Sequence, residues 1–223
     1  MDVVETIRSR KSIRGYKPEP VPKEILREIL EIATRAPSGL NVQPWEIAVV
    51  TGKVLDKIRQ GNIEMLRSVA ASRPAGPPPM LFEGKYKQRQ VDLAIELFRL
   101  MRIPREDRVK RAEWMQRGIR FFDAPAAFIL SIDESLGQFM GLLDIGALMQ
   151  TICLTALHYG LGTCIEDQGI IFPEVVKRFT GIPESKRIVI CIAIGYPDWD
   201  FPANKLESTR EPLENVVTWC DDA

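Results

Sequence analysis

Four short apolar runs separated by helical stretches predict an α/β layered fold in a single domain over residues 1–223. Three observations carry that expectation. The apolar runs are bounded by glycine and proline, as strands are, and the stretches between them repeat their apolar residues at helical spacing. A hydrophobic content of 45% over 223 residues is enough for one sizeable core.

Taken in order, residues 2–10 read as a short helix. Pro22 opens a second, in which Ile25, Leu26, Ile29, Leu30 and Ile32 recur at helical spacing, and Pro37 closes the region. EIAVVTG (46–52) reads as a buried strand ended by glycine, with a helix from about Lys53. ASRPAGPPPMLFEG (71–84) is too rich in proline and glycine for anything but an irregular connector. A charged helical stretch over 85–121 breaks near Pro104. APAAFILSID (124–133) is a second buried strand, and a long helix from Gln138 to Tyr159 is apolar on several sides, as a helix at a core or interface is. GTCIED is a third strand, 173–180 a helix, and RIVICIAIGYP a fourth strand apolar enough to be central. The tail, 201–223, reads as an extended polar arm, and 60–122 as a helical excursion from the one core.

Thirty basic residues balance thirty acidic ones, which argues against coating a nucleic acid or binding a membrane through a broad positive field. No apolar run reaches the roughly 20 residues of a membrane span, and the amino terminus lacks the order of a secretory signal, so the expectation is a cytoplasmic protein. Cys153, Cys164, Cys191 and Cys220 form no CxxC pair and read as packing residues. With one histidine, His158, and no HExxH, GxSxG or GxxxxGK[ST] motif, the chain carries no signature of a zinc protease, serine hydrolase or P-loop enzyme. GLGTCI lacks the third glycine of a dinucleotide fingerprint.

Against that zero net charge, RSRKSIRGY (8–16) places Arg8, Arg10, Lys11 and Arg14 within seven positions. If the chain leaves the first helix extended, Ser12 and Arg14 share one face and Arg10 reaches the same side, a geometry suited to a phosphate. A solvated helix end balancing the helix dipole explains the same residues. APSGLNVQPWE (36–46) demands a nonhelical loop, in which Ser38, Asn41 and Gln43 offer groups that can pair with a heteroaromatic ring; a helix stop and turn is the plainer reading. Beyond GLGTCI, Glu166, Asp167, Gln168 and Gly169 stand at a strand end, where α/β sheets hold ligands. In MLFEGKYKQRQ, Phe82 and Tyr86 offer surfaces to an aromatic substrate and Arg89 a partner for a carboxylate, though all three also suit a solvated helix.

In combination and order, RSRKSIR, then PSGLNVQPW, then a helix ending in GLGTC, then GYP with a downstream REPL, resemble the FMN-dependent nitroreductase family over nearly the whole chain. The similarity is greatest to the branch that reduces nitroaromatics such as nitrobenzoate, with iodotyrosine deiodinase a more distant relative. The resemblance implies an α+β fold, an α/β/α sandwich around a central mixed sheet, in an intertwined homodimer with FMN at the interface. It places Arg10, Lys11, Ser12 and Arg14 at the FMN phosphate and ribityl chain, joined by Arg210 and more loosely by Lys205. It places Pro37, Ser38 and Asn41 against the flavin from the partner subunit, and the backbone of Glu166, Asp167 and Gln168 at the flavin ring. NAD(P)H is implied as a transient hydride donor, a small aromatic molecule or quinone as acceptor, and ping-pong kinetics through flavin N5. No metal and no protein side chain acts as catalyst in this reading. A reductive dehalogenase, a flavin-fragmenting enzyme and a non-enzymatic flavin-binding module are the alternatives that the same family outline leaves open.

Overall fold

Trp45–Thr51 (β1), Ala126–Asp133 (β2), Gly162–Glu166 (β3) and Lys186–Gly195 (β4) pair in the order β1-β2-β4-β3 in the computed structural model, which describes residues 2–72, 82–136 and 138–220. The fourth strand is central, as its apolar sequence predicts. Every pairing of these strands is antiparallel, which corrects the expected mixed sheet. The reason lies in one insertion. β2 and β3 run in the same direction, but β4 lies between them and runs against both. Among the described residues, parallel pairing survives only as the isolated bridge between Ser12 and Thr163.

The helices are Val3–Ser9 (α1), Lys23–Ala33 (α2), Gly52–Ser72 (α3), Gly84–Leu100 (α4), Arg108–Ile119 (α5), Gln138–His158 (α6) and Pro173–Thr180 (α7). Local chemistry sets several ends. Asp2 and Asp107 accept the Glu5 and Lys110 amides at 2.8 and 2.9 Å and so cap α1 and α5. Gly181, with φ of +74°, closes α7 in the left-handed conformation. Much of the proline-rich connector, residues 73–81, lies outside the described residues.

Alternate residues of β2 feed two cores. Phe128, Leu130 and Ile132 pack with Leu26 and Ile29 of α2 and Ile145, Leu148 and Ile152 of α6. Ala127 and Ile129 face Leu55 and Ile58 of α3, Trp114 of α5 and Val176 of α7. Burying each of these large aliphatic side chains contributes about 1.5–3 kcal/mol. Helices therefore cover both faces of the sheet. Within the 60–122 stretch, α3 and α5 belong to the second core, whereas α4 buries no residue.

The sequence expectation that no segment is apolar enough to cross a bilayer also needs correcting. Gly141–His158 passes by length and composition, with a mean hydropathy of 1.3. Its Ile145, Leu148, Ile152, Cys153 and Ala156 are interior to the first core, which accounts for that hydropathy.

Candidate cofactor site

The basic stretch leaves α1 at Arg10 in extended conformation and lies along the free edge of β3. The Ile13 amide donates to the Thr163 carbonyl at 2.9 Å. Gly162 makes that approach possible, because a Cβ there would collide with Ile13 and Pro197. Its role is thus close approach, while the left-handed turn out of α6 falls to Gly160, with φ of +69°.

Ile13 turns into the protein and is buried. Arg10 lies near enough to act electrostatically on Cys153 of α6, and Arg14 on Cys164 of β3. Burial pushes the Cys164 thiol up to about 12, so it stays neutral. Arg10, Ser12 and Arg14 are all half-buried, and neither guanidinium forms an ion pair or a side-chain hydrogen bond among the described residues. Lys11 differs, being paired with Glu207 of the carboxy-terminal segment.

The backbone beneath Arg14 is held firmly. Asn204, fully buried, accepts the Arg14 amide at 2.7 Å and the Gly15 amide at 3.2 Å through Oδ1. Its Nδ2 donates at 2.7 Å to the carbonyls of Gly15 and Asp198. Arg117 of α5 donates to the Arg14 carbonyl at 3.3 Å. Sequence reasoning missed both residues: Asn204 sits in a polar tail with no motif around it, and Arg117 is one of seven basic residues between Arg102 and Arg120.

At the end of β3 the side chains turn inward. Glu166 is buried, its Oε2 accepting the Gly169 amide at 2.7 Å and its Oε1 the Cys191 thiol at 2.9 Å. Burial pushes its carboxyl up to about 7, against the opposing pull of those hydrogen bonds. Asn62 of α3 donates to the Gly169 carbonyl at 2.8 Å, and Gln168 points its amide at Met115 of α5, 3.9 Å away. Only Asp167 of this group is exposed.

The other expected residues lie elsewhere. Lys205 is exposed, and Arg210 folds onto its own turn, donating to the Ser208 and Thr209 carbonyls at 3.2 and 2.8 Å. It lines an open cleft with Arg89, which is itself paired with Glu211 at 2.8 Å. Tyr86 is flanked by Lys85 and Arg89, 5.5 and 5.6 Å from its ring centre, and Phe82 is half-exposed just before α4. Pro37, Ser38 and Asn41 precede β1, the strand at the opposite edge from Ser12. Ser38 braces that loop by accepting the Gln43 amide at 3.0 Å, and Asp144 of α6 holds Gly39 at 3.1 Å. Four strand spacings separate this edge from the basic stretch, about 19 Å.

A profile of the Nitroreductase family matches residues 7–196. A 4-nitrobenzoate reductase of Nocardioides sp. (strain LMS-CY) is 32% identical over 222 residues, covering 97% of this chain and 90% of the relative. Among solved structures, the FMN and NADPH-dependent nitroreductase NfnB of Sphigopyxis sp. strain HMH superposes with a TM-score of 0.92 at 26% identity over the whole of both chains. Iodotyrosine deiodinase bound to FMN and 3-iodo-L-tyrosine shares the fold more distantly, with a TM-score of 0.67 at 21% identity over 99% of this chain and all of that one.

Proposed function

Because the chain belongs to the nitroreductase family of flavin-dependent oxidoreductases, we propose that it binds FMN through Arg10, Ser12 and Arg14 and reduces nitroaromatic or quinone acceptors at the expense of NAD(P)H. The observation that carries this reading is the pair of half-buried guanidiniums of Arg10 and Arg14, unpaired among the described residues, with the half-buried Ser12 between them on one extended segment. Leaving two such cations without a counter-charge is costly unless a ligand supplies it, and a phosphate dianion fits two forked donors and a hydroxyl. FMN, when bound, supplies the redox chemistry, accepting hydride from NAD(P)H and returning electrons to an acceptor in the same position, so ping-pong kinetics are expected.

The protein's own part is to bind and orient. Inward-turned Glu166 and Gln168 leave the backbone of 166–169 as the surface offered to the ring, anchored by Asn62 and by Cys191. Within one chain the loop of Pro37, Ser38 and Asn41 stands at the far sheet edge, so its contribution to this site requires a second copy. Exposed apolar residues suit that assembly: Phe139 and Leu143 on α6, Val3 and Ile7 on α1, and Val216 and Trp219 in the tail. A homodimer with the tail lying on its neighbour follows. Nitroaromatic acids head the candidate acceptors, because the relative at 32% identity is a 4-nitrobenzoate reductase.

The test is steady-state oxidation of NADH and NADPH by the FMN-loaded protein with 4-nitrobenzoate, menadione and a halophenol. Turnover of 4-nitrobenzoate or menadione well above that of free FMN is expected. Turnover of the halophenol alone would move the activity to reductive dehalogenation, and none at all would leave a flavin-binding module.

A further inference from the structure

We propose that Arg117 is a positioning residue for phosphate recognition: anchored on the turn at residues 121–123, it fixes the backbone from which Arg14 reaches the cofactor. Its guanidinium, three-quarters buried, is held by several protein groups. Nη1 pairs with Asp123 at 3.0 Å, and Nη2 donates to the carbonyls of Arg14 and Phe122, both at 3.3 Å. The group also stands over the ring of Phe201, 4.7 Å from its centre, and Nε is buried without a partner. The one group of the basic stretch that Arg117 holds is the Arg14 carbonyl, so its influence on a bound anion passes through Arg14.

The anchor is itself heavily built. Phe121, Phe122 and Asp123 are three consecutive non-glycine residues with φ of +59°, +51° and +59°. Such a run persists only where its surroundings over-determine it. Arg59 donates to the Arg120 carbonyl at 3.0 Å and to the Ala124 carbonyl, and Arg120 pairs with Asp123 at 2.8 Å. Three arginines thus brace one left-handed turn, and through Arg117 that turn bears on the Arg14 peptide. Asn204 grips the same residue's amide from the carboxy-terminal side. With donor and acceptor both held, the Arg14 side chain starts from a fixed base, and less conformational freedom is lost when it meets an anion.

The proposal rests on the reading above, that Arg14 meets the FMN phosphate, and the test separates the two. Apoprotein is titrated with FMN and with riboflavin, which lacks the phosphate, for the wild type and for Arg14→Ala, Arg117→Met and Arg117→Lys. The wild type should prefer FMN, and Arg14→Ala should lose most of that preference. Arg117→Met should bind FMN about tenfold more weakly, the scale of one charge-linked hydrogen bond, with riboflavin affinity kept. Arg117→Lys should fall between, since one ammonium can restore the Asp123 pair but not the fork; it also serves if the methionine variant does not fold. Equal losses for FMN and riboflavin, or no loss, in the Arg117 variants while Arg14→Ala loses its preference would overturn the role of Arg117 alone. A wild type that binds FMN and riboflavin equally, or an Arg14→Ala variant that keeps the wild-type preference for FMN, would overturn the phosphate reading and the proposal with it.

Discussion

In the proposed cofactor site Arg14 and Arg10 meet the phosphate, and each is expected to contribute on the scale of a charged hydrogen bond. Arg14→Ala should weaken FMN binding by about 1.5–3 kcal/mol, read by quenching of flavin fluorescence. Asn204 makes a separate prediction. Four hydrogen bonds converge on one fully buried amide, so Asn204→Ala should cost about 2–4 kcal/mol of stability in denaturant unfolding, most of it from orphaned backbone groups. Glu166 gives the chain a pH signature. Its carboxyl sits near 7 in the folded protein against 4.5 for the free group, so between those values the folded state holds the extra proton. Its contribution therefore favours the folded state at low pH and fades as pH rises through about 7. From pH 5 to pH 8 the wild type should lose on the order of 2–3 kcal/mol more stability than Glu166→Gln. Parallel pH profiles for the two proteins would show that the carboxyl is ionised throughout.

At the scale of elements, β3 organises the site, since the basic stretch rides its free edge and the inward-turned Glu166 marks its end. Gly162→Ala should cost about 1–3 kcal/mol, the price of overpacking against Ile13 and Pro197, and should loosen FMN binding with it. The elements themselves were largely legible. Glycine and proline punctuation and helical spacing place all four strands and the helices to within a few residues, because local chemistry decides those ends. Pairing was not legible, since the insertion of β4 between β2 and β3 is a long-range choice that leaves no local trace. The extended exit of the chain from α1 at Arg10 was legible because helix ends and strand-like segments are set locally. Asn204 and Arg117 were not, because they reach Arg14 across 190 and 103 positions of sequence.

At the scale of the whole molecule, the two halves of the expected flavin site stand at opposite edges of one sheet, with the loop at 37–41 far from the stretch at 10–14. A site drawing on both needs two copies, and sedimentation should accordingly find a species twice the 25.3 kDa of one chain. Diluting the protein until that species dissociates should release FMN over the same concentration range. Flavin retained by monomers would assign the site to one chain.

The most direct measurement is a crystal structure of the FMN complex. It should place the phosphate in hydrogen-bond contact with Arg10, Ser12 and Arg14 of one chain, and the flavin ring against Pro37, Ser38 and Asn41 of a second. A phosphate bound anywhere else, with Arg10 and Arg14 facing only solvent, would contradict the account.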